Sequence, residues 1–290
     1  MTPTHATPDP TETNALAETN ALAETAAALG DLTADAPPTL LDRIVARRIT
    51  IPAPFLAGAE HRAPGAPDAG PDPAEDLTHL QIAFTDHGVA YLRPGTDTAA
   101  FTADFRARFA RPLLPADRPP AGLLPALRAG RPGDLRLDLR GLSDFETAVL
   151  RAAATIPRGQ TRPYAWIAAQ AGRPKAVRAV GSALGRNPVP LLIPCHRVTR
   201  SDGSPGQYIF GADTKIRLLR AENVNLDEVT DLARHRVHFL ASDTTGVVCY
   251  PTCHNARRIT PAHRHGFATL AEARAAGYRP CRHCRPAVPA

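Results

Sequence analysis

Residues 193–198 read Ile-Pro-Cys-His-Arg-Val and end the apolar run that begins at Val189. A thiol becomes a strong nucleophile when a neighbour takes its proton or stabilises its thiolate, and His196 directly follows Cys195. The alternative is a buried, inert cysteine beside an ordinary histidine, because cysteine is among the residues most often buried. The flanking sequence decides between these two interpretations.

The other four cysteines form two close pairs near the C-terminus, Cys249-x3-Cys253 and Cys281-x2-Cys284. This spacing is typical of a four-cysteine zinc site, whereas the alternatives are two disulfides or four free thiols. A disulfide within either pair would close a small, strained loop. The polar N-terminus does not resemble a secretory signal, so we expect a reducing, cytoplasmic location. The pattern therefore predicts Zn²⁺ bound by these cysteines.

The chain has 290 residues, enough for two domains or for one domain and a small module. Its net charge of +6 is unevenly spread. Residues 1–40 carry six acidic residues and no lysine or arginine, whereas residues 141–290 carry 21 basic against ten acidic residues. This asymmetry favours a polyanionic partner such as nucleic acid. No apolar run approaches the roughly 20 residues that span a bilayer, so we expect no membrane association.

Residues 1–38 have the composition of a disordered tail, and the sequence after them predicts a small α/β subdomain over residues 39–140. The predicted elements are an amphipathic helix at Leu40–Ile49, a loop or disordered insertion at Ala59–Asp76, a β-hairpin at Leu80–Leu92, a helix at Phe101–Phe109 and a half-buried strand at Leu135–Leu139.

The pattern becomes helical from Ser143, where Ser-Asp-Phe-Glu predicts a capping box for a helix ending at Ala154. Two short helices follow, Tyr164–Ala169 and Lys175–Leu184, joined by a turn at Gly172-Arg-Pro. They form a helix-turn-helix candidate, although two packed helices without DNA contact would give the same pattern. Four residues of the second helix are expected to face inward: Val177, Val180, Ala183 and Leu184. The acidic linker Asn223–Arg234 is a further candidate helix.

The segment from Pro157 to Asn223 resembles the catalytic domain of the O6-alkylguanine-DNA alkyltransferases. The resemblance is carried by Tyr164-Ala-Trp-Ile-Ala, Arg173-Pro-Lys-Ala-Val-Arg-Ala-Val-Gly, Arg186-Asn-Pro-Val-Pro and Ile193-Pro-Cys-His-Arg-Val. It implies irreversible transfer of an alkyl group, mainly methyl, from O6 of guanine in double-stranded DNA, and also from O4 of thymine, to Cys195. His196 would take the thiol proton through a water molecule, Glu222 would orient His196, and Asn187 would buttress the turn near the cysteine.

The same resemblance implies that the damaged nucleotide leaves the base stack before reaction. Arg178 would fill the vacated space, and Tyr164 would rotate the phosphate. The helix would enter the minor groove through its small residues Ala179, Gly181 and Ser182. Tyr208 would line the base pocket, with Lys215 just beyond it. Phe210 stands where some members have glycine, so we expect a pocket that accepts methyl readily and benzyl poorly.

The segments Thr244-Thr-Gly-Val-Val-Cys and Arg279-Pro-Cys-Arg-His-Cys-Arg-Pro resemble the zinc module of Ada-type adaptive-response proteins. The resemblance implies that Cys249 is both a zinc ligand and an acceptor for methyl from DNA phosphotriesters. Nearby residues, with Thr245 and Arg282 among them, would contact phosphates. Whether Arg257 or Arg258 does so stays open. Here the alkyltransferase precedes the zinc module, so we do not carry over a transcriptional role.

We therefore predict an α+β fold with a mainly helical catalytic and DNA-binding subdomain at 141–226 and a small four-cysteine zinc domain at 227–290. The leading hypothesis is a monomeric DNA-repair protein, cytoplasmic and nucleoid-associated, that accepts alkyl groups on Cys195 and Cys249. One alternative is a guanine alkyltransferase whose zinc module is only structural or DNA-binding. Another is a non-catalytic alkylation sensor, which the presence of Cys195 disfavours.

Overall fold

A computed structural model describes residues 45–53 and 78–287. Helices and strands are mixed along the chain in an α+β arrangement, which confirms the predicted fold class. The predicted tail at 1–38 and the predicted insertion at Ala59–Asp76 lie outside the described residues. No helix within the described ranges is long and apolar enough to cross a membrane.

A four-stranded sheet of order β3-β2-β1-β4 opens the described chain. Its strands are β1 (Ala46–Pro52), β2 (His79–Thr85), β3 (Gly88–Pro94) and β4 (Leu113–Pro115). The first three strands pair antiparallel, and β4 pairs parallel to β1. The predicted β-hairpin at Leu80–Leu92 is therefore confirmed.

The helix predicted over Leu40–Ile49 is wrong where the structure describes it, because Ala46–Ile49 form the first half of β1. The strand continues through the β-branched run Ile49-Thr50-Ile51, which favours a pleated backbone. β1 also lies between β2 and β4, so both of its edges are hydrogen-bonded. Sheet pairing with distant segments overrides the local helical pattern.

Helix α1 (Thr98–Phe109) covers this sheet and confirms the helix predicted at Phe101–Phe109. Asp97 caps its N-terminus by accepting a hydrogen bond from the Ala100 amide at 2.9 Å. Its phenylalanines surround Tyr91 of β3, with ring centroids 5.3 to 6.1 Å apart. A second short helix, α2 (Leu123–Ala129), follows β4.

The strand predicted at Leu135–Leu139 is wrong. Leu137 makes one isolated bridge with Val89, and the segment has no ladder beyond it. The three leucines are half-buried against the main core, so their alternation reflects packing of an irregular segment and not a pleated strand.

The middle of the chain is mainly helical. Its elements are α3 (Asp144–Ala154), β5 (Arg162–Pro163), α4 (Tyr164–Gln170), α5 (Val177–Gly185), a 3₁₀ turn at Cys195–Arg197, β6 (Val198–Thr199) and α6 (Ala212–Ala221). The Ser143 capping box is confirmed, since Ser143 and Glu146 each accept the other's backbone N–H. Helix α5 begins at Val177, and this side chain is exposed, so the prediction that it faces inward is wrong.

The linker helix and a second sheet complete the chain. They comprise α7 (Leu226–Arg234), β7 (Phe239–Ser242), β8 (Val247–Cys249), β9 (Arg264–Phe267), α8 (Leu270–Ala275) and β10 (Arg279–Pro280). The sheet order is β10-β8-β7-β9, and α7 confirms the predicted helical linker. One continuous apolar core runs from the helical region into this C-terminal part.

Gly159 sits where the turn after α3 approaches the end of α6. Its φ of +73° lies in the left-handed region, and a Cβ there would lie 2.8 Å from the carbonyl oxygen of Glu222. Gly172 has nearly the same φ, +72°, but a Cβ at this residue would have no heavy atom within 4 Å. A side chain at Gly172 would therefore introduce backbone strain alone, whereas a side chain at Gly159 would add a steric contact to the same strain.

We expect Gly159→Ala to lower the free energy of unfolding by roughly 3 kcal/mol, because the strain and the contact with Glu222 act together. Gly172→Ala should cost only about 1 kcal/mol, the strain alone. Urea denaturation of both variants measures the difference. Equal losses would show that the turn relaxes freely around the added methyl group.

Candidate active site and zinc centre

Cys195 lies in the 3₁₀ turn after Pro194 and is 5% exposed. Asn187 donates from Nδ2 to the Cys195 Sγ at 3.2 Å and to the Ile193 carbonyl at 2.9 Å. Its Oδ1 accepts from the Val189 amide at 3.0 Å. The fully buried Asn187 is therefore hydrogen-bonded to both ends of the apolar run that precedes the cysteine, Val189 and Ile193.

The N-terminal sheet also reaches this turn. The Leu92 amide donates to the Pro188 carbonyl at 2.9 Å, and Arg93 Nη1 donates to the same carbonyl at 3.3 Å. The Arg93 guanidinium stacks over the Tyr91 ring at 4.0 Å. Strand β3 thus supports the segment beside Cys195, a contact that no local sequence pattern indicated.

His196, next in the chain, joins a buried ionic network. Its Nε2 lies 3.0 Å from Glu222 Oε1. Arg197 is fully buried and donates to both Glu222 oxygens, through Nε at 2.8 Å and Nη2 at 2.7 Å. The Gly159 amide donates to Oε2 at 3.2 Å. Sequence reasoning gave Arg197 no role, although its place in the Pro-Cys-His-Arg motif was a usable signal.

Burial sets the charge states of the reacting pair. It raises the pKa of the Cys195 thiol, against the opposing effects of the Asn187 hydrogen bond and the Lys215 charge. Burial likewise lowers the pKa of His196, so the thiol and the imidazole are both neutral near pH 7. With Nε2 directed at Glu222, His196 Nδ1 has no partner within the described part of the chain. That nitrogen is the free acceptor that a general base needs.

Burial also raises the pKa of Glu222, but hydrogen bonds from His196 and Arg197 outweigh this effect and bring the pKa down to about 2. The carboxylate is therefore ionised at every pH at which the protein is expected to work. It keeps the His196 Nε2–H in place and leaves Nδ1 unprotonated.

Lys215 is buried beside the cysteine. Its Nζ donates to the Val198 carbonyl at 2.5 Å and to the Gln207 carbonyl at 3.3 Å. Burial lowers the pKa of Lys215 to about 8. Tyr208 stands edge-on to His196 with ring centroids 6.1 Å apart, and its buried hydroxyl has no partner among the described residues. Both predicted residues are thus close to Cys195.

A pocket opens above the thiol. Its lining includes Tyr164, Arg178, Gly181, Cys195, Tyr208, Ile209 and Arg200. Ala179 and Ser182 are on the same helix α5 as Arg178, and all three residues are exposed. The predicted DNA-facing residues of α5 are therefore at the surface beside the pocket.

Phe210 does not line this pocket. Its ring packs edge-on against Tyr208, with ring centroids 5.4 Å apart, and Ile209 forms the pocket wall. The rim position predicted for Phe210 is wrong.

The four remaining cysteines come together although 27 residues separate the two pairs. Their sulfur atoms all lie within 4.8 Å of one another, and all four residues are buried. Cys249 ends β8, Cys253 follows a tight turn, and the second pair follows β10. Four convergent thiols match tetrahedral zinc coordination, which four protein ligands complete.

Cys249 forms part of a polar cleft. The cleft is lined by Thr244, Thr245, Asn255, Arg258, His263 and Arg279. Arg257 points away from it, toward Gly159 of the helical region. The structure therefore places Arg258, and not Arg257, beside Cys249. Arg282 is exposed on the turn between Cys281 and Cys284 and does not line the cleft.

The site and fold define an α+β protein with a buried, histidine-paired cysteine and a separate four-cysteine metal centre. Residues 144–224 match the family described as 6-O-methylguanine DNA methyltransferase, DNA binding domain, and residues 229–287 match the metal binding domain of Ada. The first segment is therefore similar to that methyltransferase family, and the second is similar to the Ada-type zinc-binding domain. Both resemblances found in the sequence are confirmed, and the four cysteines are the zinc site.

Individual relatives agree with this assignment. The chain is 35% identical over 160 residues to the bifunctional transcriptional activator/DNA repair enzyme Ada of Escherichia coli, covering 52% of this chain and 44% of that protein. It is 51% identical over 89 residues to the methylated-DNA–protein-cysteine methyltransferase of Mycolicibacterium paratuberculosis, covering 31% of this chain and 53% of that protein. The chain thus spans about half the length of these curated relatives.

Among solved structures, Mycobacterium tuberculosis OGT in complex with DNA aligns with a TM-score of 0.44 and 29% identity. The alignment covers 63% of this chain and 98% of that chain.

The Glu222 network predicts an acid-dependent stability. The folded-state pKa of about 2 lies below the ordinary value of 4.5, so the network stabilises the protein above about pH 4.5 and this contribution is lost as the pH falls toward 2. The shift corresponds to about 3 kcal/mol. We expect the stability advantage of the wild type over Glu222→Gln to shrink by about that amount across this range, measured by urea denaturation.

Glu146 provides the matched control. Its pKa is also about 2, lowered first by hydrogen bonds from Ser143 and then by Arg186, but it lies near the surface. Because solvent screens exposed ion pairs, Glu146→Gln should show a much weaker pH dependence. An equal dependence for the two variants would contradict a dominant role for the buried network.

Proposed function

We propose that this protein repairs DNA by moving the alkyl group of O6-alkylguanine, and of O4-alkylthymine, irreversibly onto Cys195. The observation that carries the proposal is a buried thiol that directly precedes His196, whose Nε2 lies 3.0 Å from Glu222 Oε1 and whose Nδ1 has no partner among the described residues. The family match over residues 144–224 supports the substrate class.

The proposed reaction is a single displacement. The thiol proton passes to His196 Nδ1 through a water molecule, and the Cys195 sulfur attacks the alkyl carbon. The S–C bond forms as the C–O6 bond breaks, and the proton finally restores neutral guanine. No other reactant is consumed, so each molecule reacts once at this site. Glu222 and Arg197 hold the imidazole in the productive tautomer throughout.

Access to a paired base requires its extrusion from the helix. We propose that α5 enters the minor groove with Arg178 in the vacated space, and that Tyr164 rotates the phosphate. The exposed positions of Arg178, Ala179 and Ser182 and the half-buried position of Gly181 support this, because small residues permit close backbone approach. Minor-groove entry gives little sequence readout, as repair in any sequence context requires. The helix-turn-helix role of α4 and α5 is part of this proposal.

We further propose that Cys249 accepts methyl groups from DNA phosphotriesters. Zinc keeps bound cysteines deprotonated near neutral pH, which is the chemistry it supplies here. Thr245, Arg258 and Arg279 line the same cleft as Cys249 and offer donors for phosphate oxygens. Arg282, outside the cleft, would contact a neighbouring phosphate. The competing proposal, a zinc module that only binds DNA, is equally compatible with the basic charge.

We also propose domain boundaries at residues 38, 140 and 226, a monomeric state, and a cytoplasmic, nucleoid-associated location. The E. coli relative is named a transcriptional activator, but we propose no such role for this chain.

Intact-mass analysis after incubation with methylated duplex DNA tests both acceptors. We expect two added methyl groups, mapped by peptide analysis to Cys195 and Cys249, because the two thiols take different lesions. Cys195→Ala should retain only the methyl on Cys249. Modification of Cys195 alone would reject phosphotriester repair, and an unmodified Cys195 would reject the guanine alkyltransferase.

Ile209 should set the range of alkyl groups, because it forms the pocket wall next to Tyr208. We expect the wild type to react with O6-benzylguanine at least 10-fold more slowly than Ile209→Ala does. Both proteins should react similarly with O6-methylguanine. The reason is that a single methylene-sized group changes affinity for an apolar pocket by roughly 10-fold or more. Phe210→Ala is the matched control, since its ring lies outside the lining. A larger effect at residue 210 would overturn this assignment.

A further inference from the structure

Trp166 of helix α4 crosses from the alkyltransferase region to the zinc-binding loop. Its indole Nε1 donates to the carbonyl of the zinc ligand Cys284 at 3.0 Å and to the carbonyl of Arg285 at 3.1 Å. The side chain is 5% exposed, so these bonds are shielded from water. Trp166 is the chain's one tryptophan, and the proposed alkyl transfer gives it no task.

A second contact reaches the other ligand pair. The Thr161 amide donates to Thr252 Oγ1 at 2.9 Å, and the two hydroxyl oxygens lie 3.1 Å apart. Both threonines are buried, and Thr252 directly precedes the ligand Cys253. The loops that carry the two cysteine pairs are therefore both hydrogen-bonded to the alkyltransferase region, one through Thr161 and the other through Trp166 of α4.

Arg162, between these contacts, is a buried cation without a carboxylate among its hydrogen-bond partners in the described chain. It is 2% exposed, and its guanidinium donates to the Thr161 carbonyl and to Gln160 Oε1, each at 2.7 Å. Nε has no partner within residues 45–53 and 78–287. The guanidinium lies 5.6 Å from the ring of Tyr250, the residue after Cys249. A buried charge without a counter-charge is strongly unfavourable.

A four-thiolate zinc centre would supply such a counter-charge, because four thiolates around one Zn²⁺ carry a net charge of −2. The guanidinium of Arg162 lies 5.8 Å from the ring of Trp166, whose indole donates to the Cys284 carbonyl. The groove beside Arg162 is lined by two further cations, Arg151 and Arg285, by His283, and by one acid, Asp144. None of the hydrogen bonds of Arg162 reaches Asp144, so its charge has no hydrogen-bonded carboxylate in the described chain.

We propose that the alkyltransferase region supplies the outer shell of the zinc site. Trp166 fixes the backbone of the Cys284 loop, and Arg162 balances the charge of the four thiolates. Zinc retention then depends on residues outside the zinc-binding domain, and zinc loss is transmitted to α4, the helix that begins with Tyr164. The proposal rests on the zinc site and not on either methyl transfer.

The first test uses Trp166 as its own reporter. Zinc is removed from the full chain with a strong chelator, and its release is followed with a chromophoric indicator while tryptophan emission is recorded. We expect the emission to shift to longer wavelength as zinc leaves, because the indole loses two hydrogen bonds and its dry contact. Added zinc should restore it. Release of zinc with unchanged emission would overturn the proposal.

The second test compares variants by the rate at which the chelator removes zinc. Trp166→Phe keeps a ring without the N–H donor, and Arg162→Gln removes the charge. Both should lose zinc roughly 10-fold to 100-fold faster or bind it correspondingly more weakly, as loss of outer-shell partners does elsewhere. Arg162→Lys, which keeps a charge, should lie between Arg162→Gln and the wild type.

Arg151→Gln is the control, because Arg151 lines the same groove but is exposed on α3. It should release zinc at the wild-type rate. Urea denaturation of the zinc-free proteins separates packing from metal binding: variants weakened only in packing would lose stability without a selective loss of zinc. If Trp166→Phe and Arg162→Gln both release zinc at the wild-type rate, the outer-shell role is refuted. If either variant does not fold, the fluorescence test on the wild type decides.

Discussion

The carboxylate of Glu222 is the constraint on which the active site depends. It accepts four hydrogen bonds, from His196, from two nitrogens of Arg197 and from the Gly159 amide. A carboxylate this buried is tolerated only because every partner is present, and the same partners hold its pKa at about 2. Removing any one of these donors leaves part of the carboxylate charge without a hydrogen-bond partner in a low-dielectric environment.

This network joins three stretches of chain that are distant in sequence. The turn after α3 provides Gly159, the 3₁₀ turn provides His196 and Arg197, and the end of α6 provides Glu222. The fixed imidazole then leaves Nδ1 as the one nitrogen of His196 able to take a proton. Asn187 acts separately, on the sulfur and the segment before it. Orientation of the base and placement of the nucleophile are thus assigned to different residues.

The zinc domain is not an independent appendage. Its apolar core is continuous with that of the helical region, and buried hydrogen bonds cross the boundary through Trp166 and Thr161. A four-thiolate centre has excess negative charge, and the guanidinium of the buried Arg162 lies 5.6 Å from the ring of Tyr250, the residue after the ligand Cys249. The buried hydrogen bonds join the segment that matches the methyltransferase family to the segment that matches the zinc-binding domain.

The local sequence pattern predicted an element correctly where the residues that determine the element lie close together in the chain. The Ser143 capping box, the hairpin and α1 follow from residues within a few positions of each other. Prediction was wrong where distant pairing decided it. Ala46–Ile49 became a strand between β2 and β4, and Leu135–Leu139 found no partner strand among the described residues. Periodicity reports which side chains are buried but not which backbone groups find partners.

The sequence by itself determined the residue types of the chemistry: the Cys195–His196 pair, the two cysteine pairs, and, by resemblance, Glu222 and Arg178. Only the tertiary structure decided how these groups are held. In the tertiary structure Arg197 donates hydrogen bonds to Glu222, Ile209 and not Phe210 lines the pocket, and Arg258 lines the cleft at Cys249. Such facts depend on contacts between residues far apart in the chain. Spacing along the sequence does not encode them, because burial and charge balance are settled only when the segments meet.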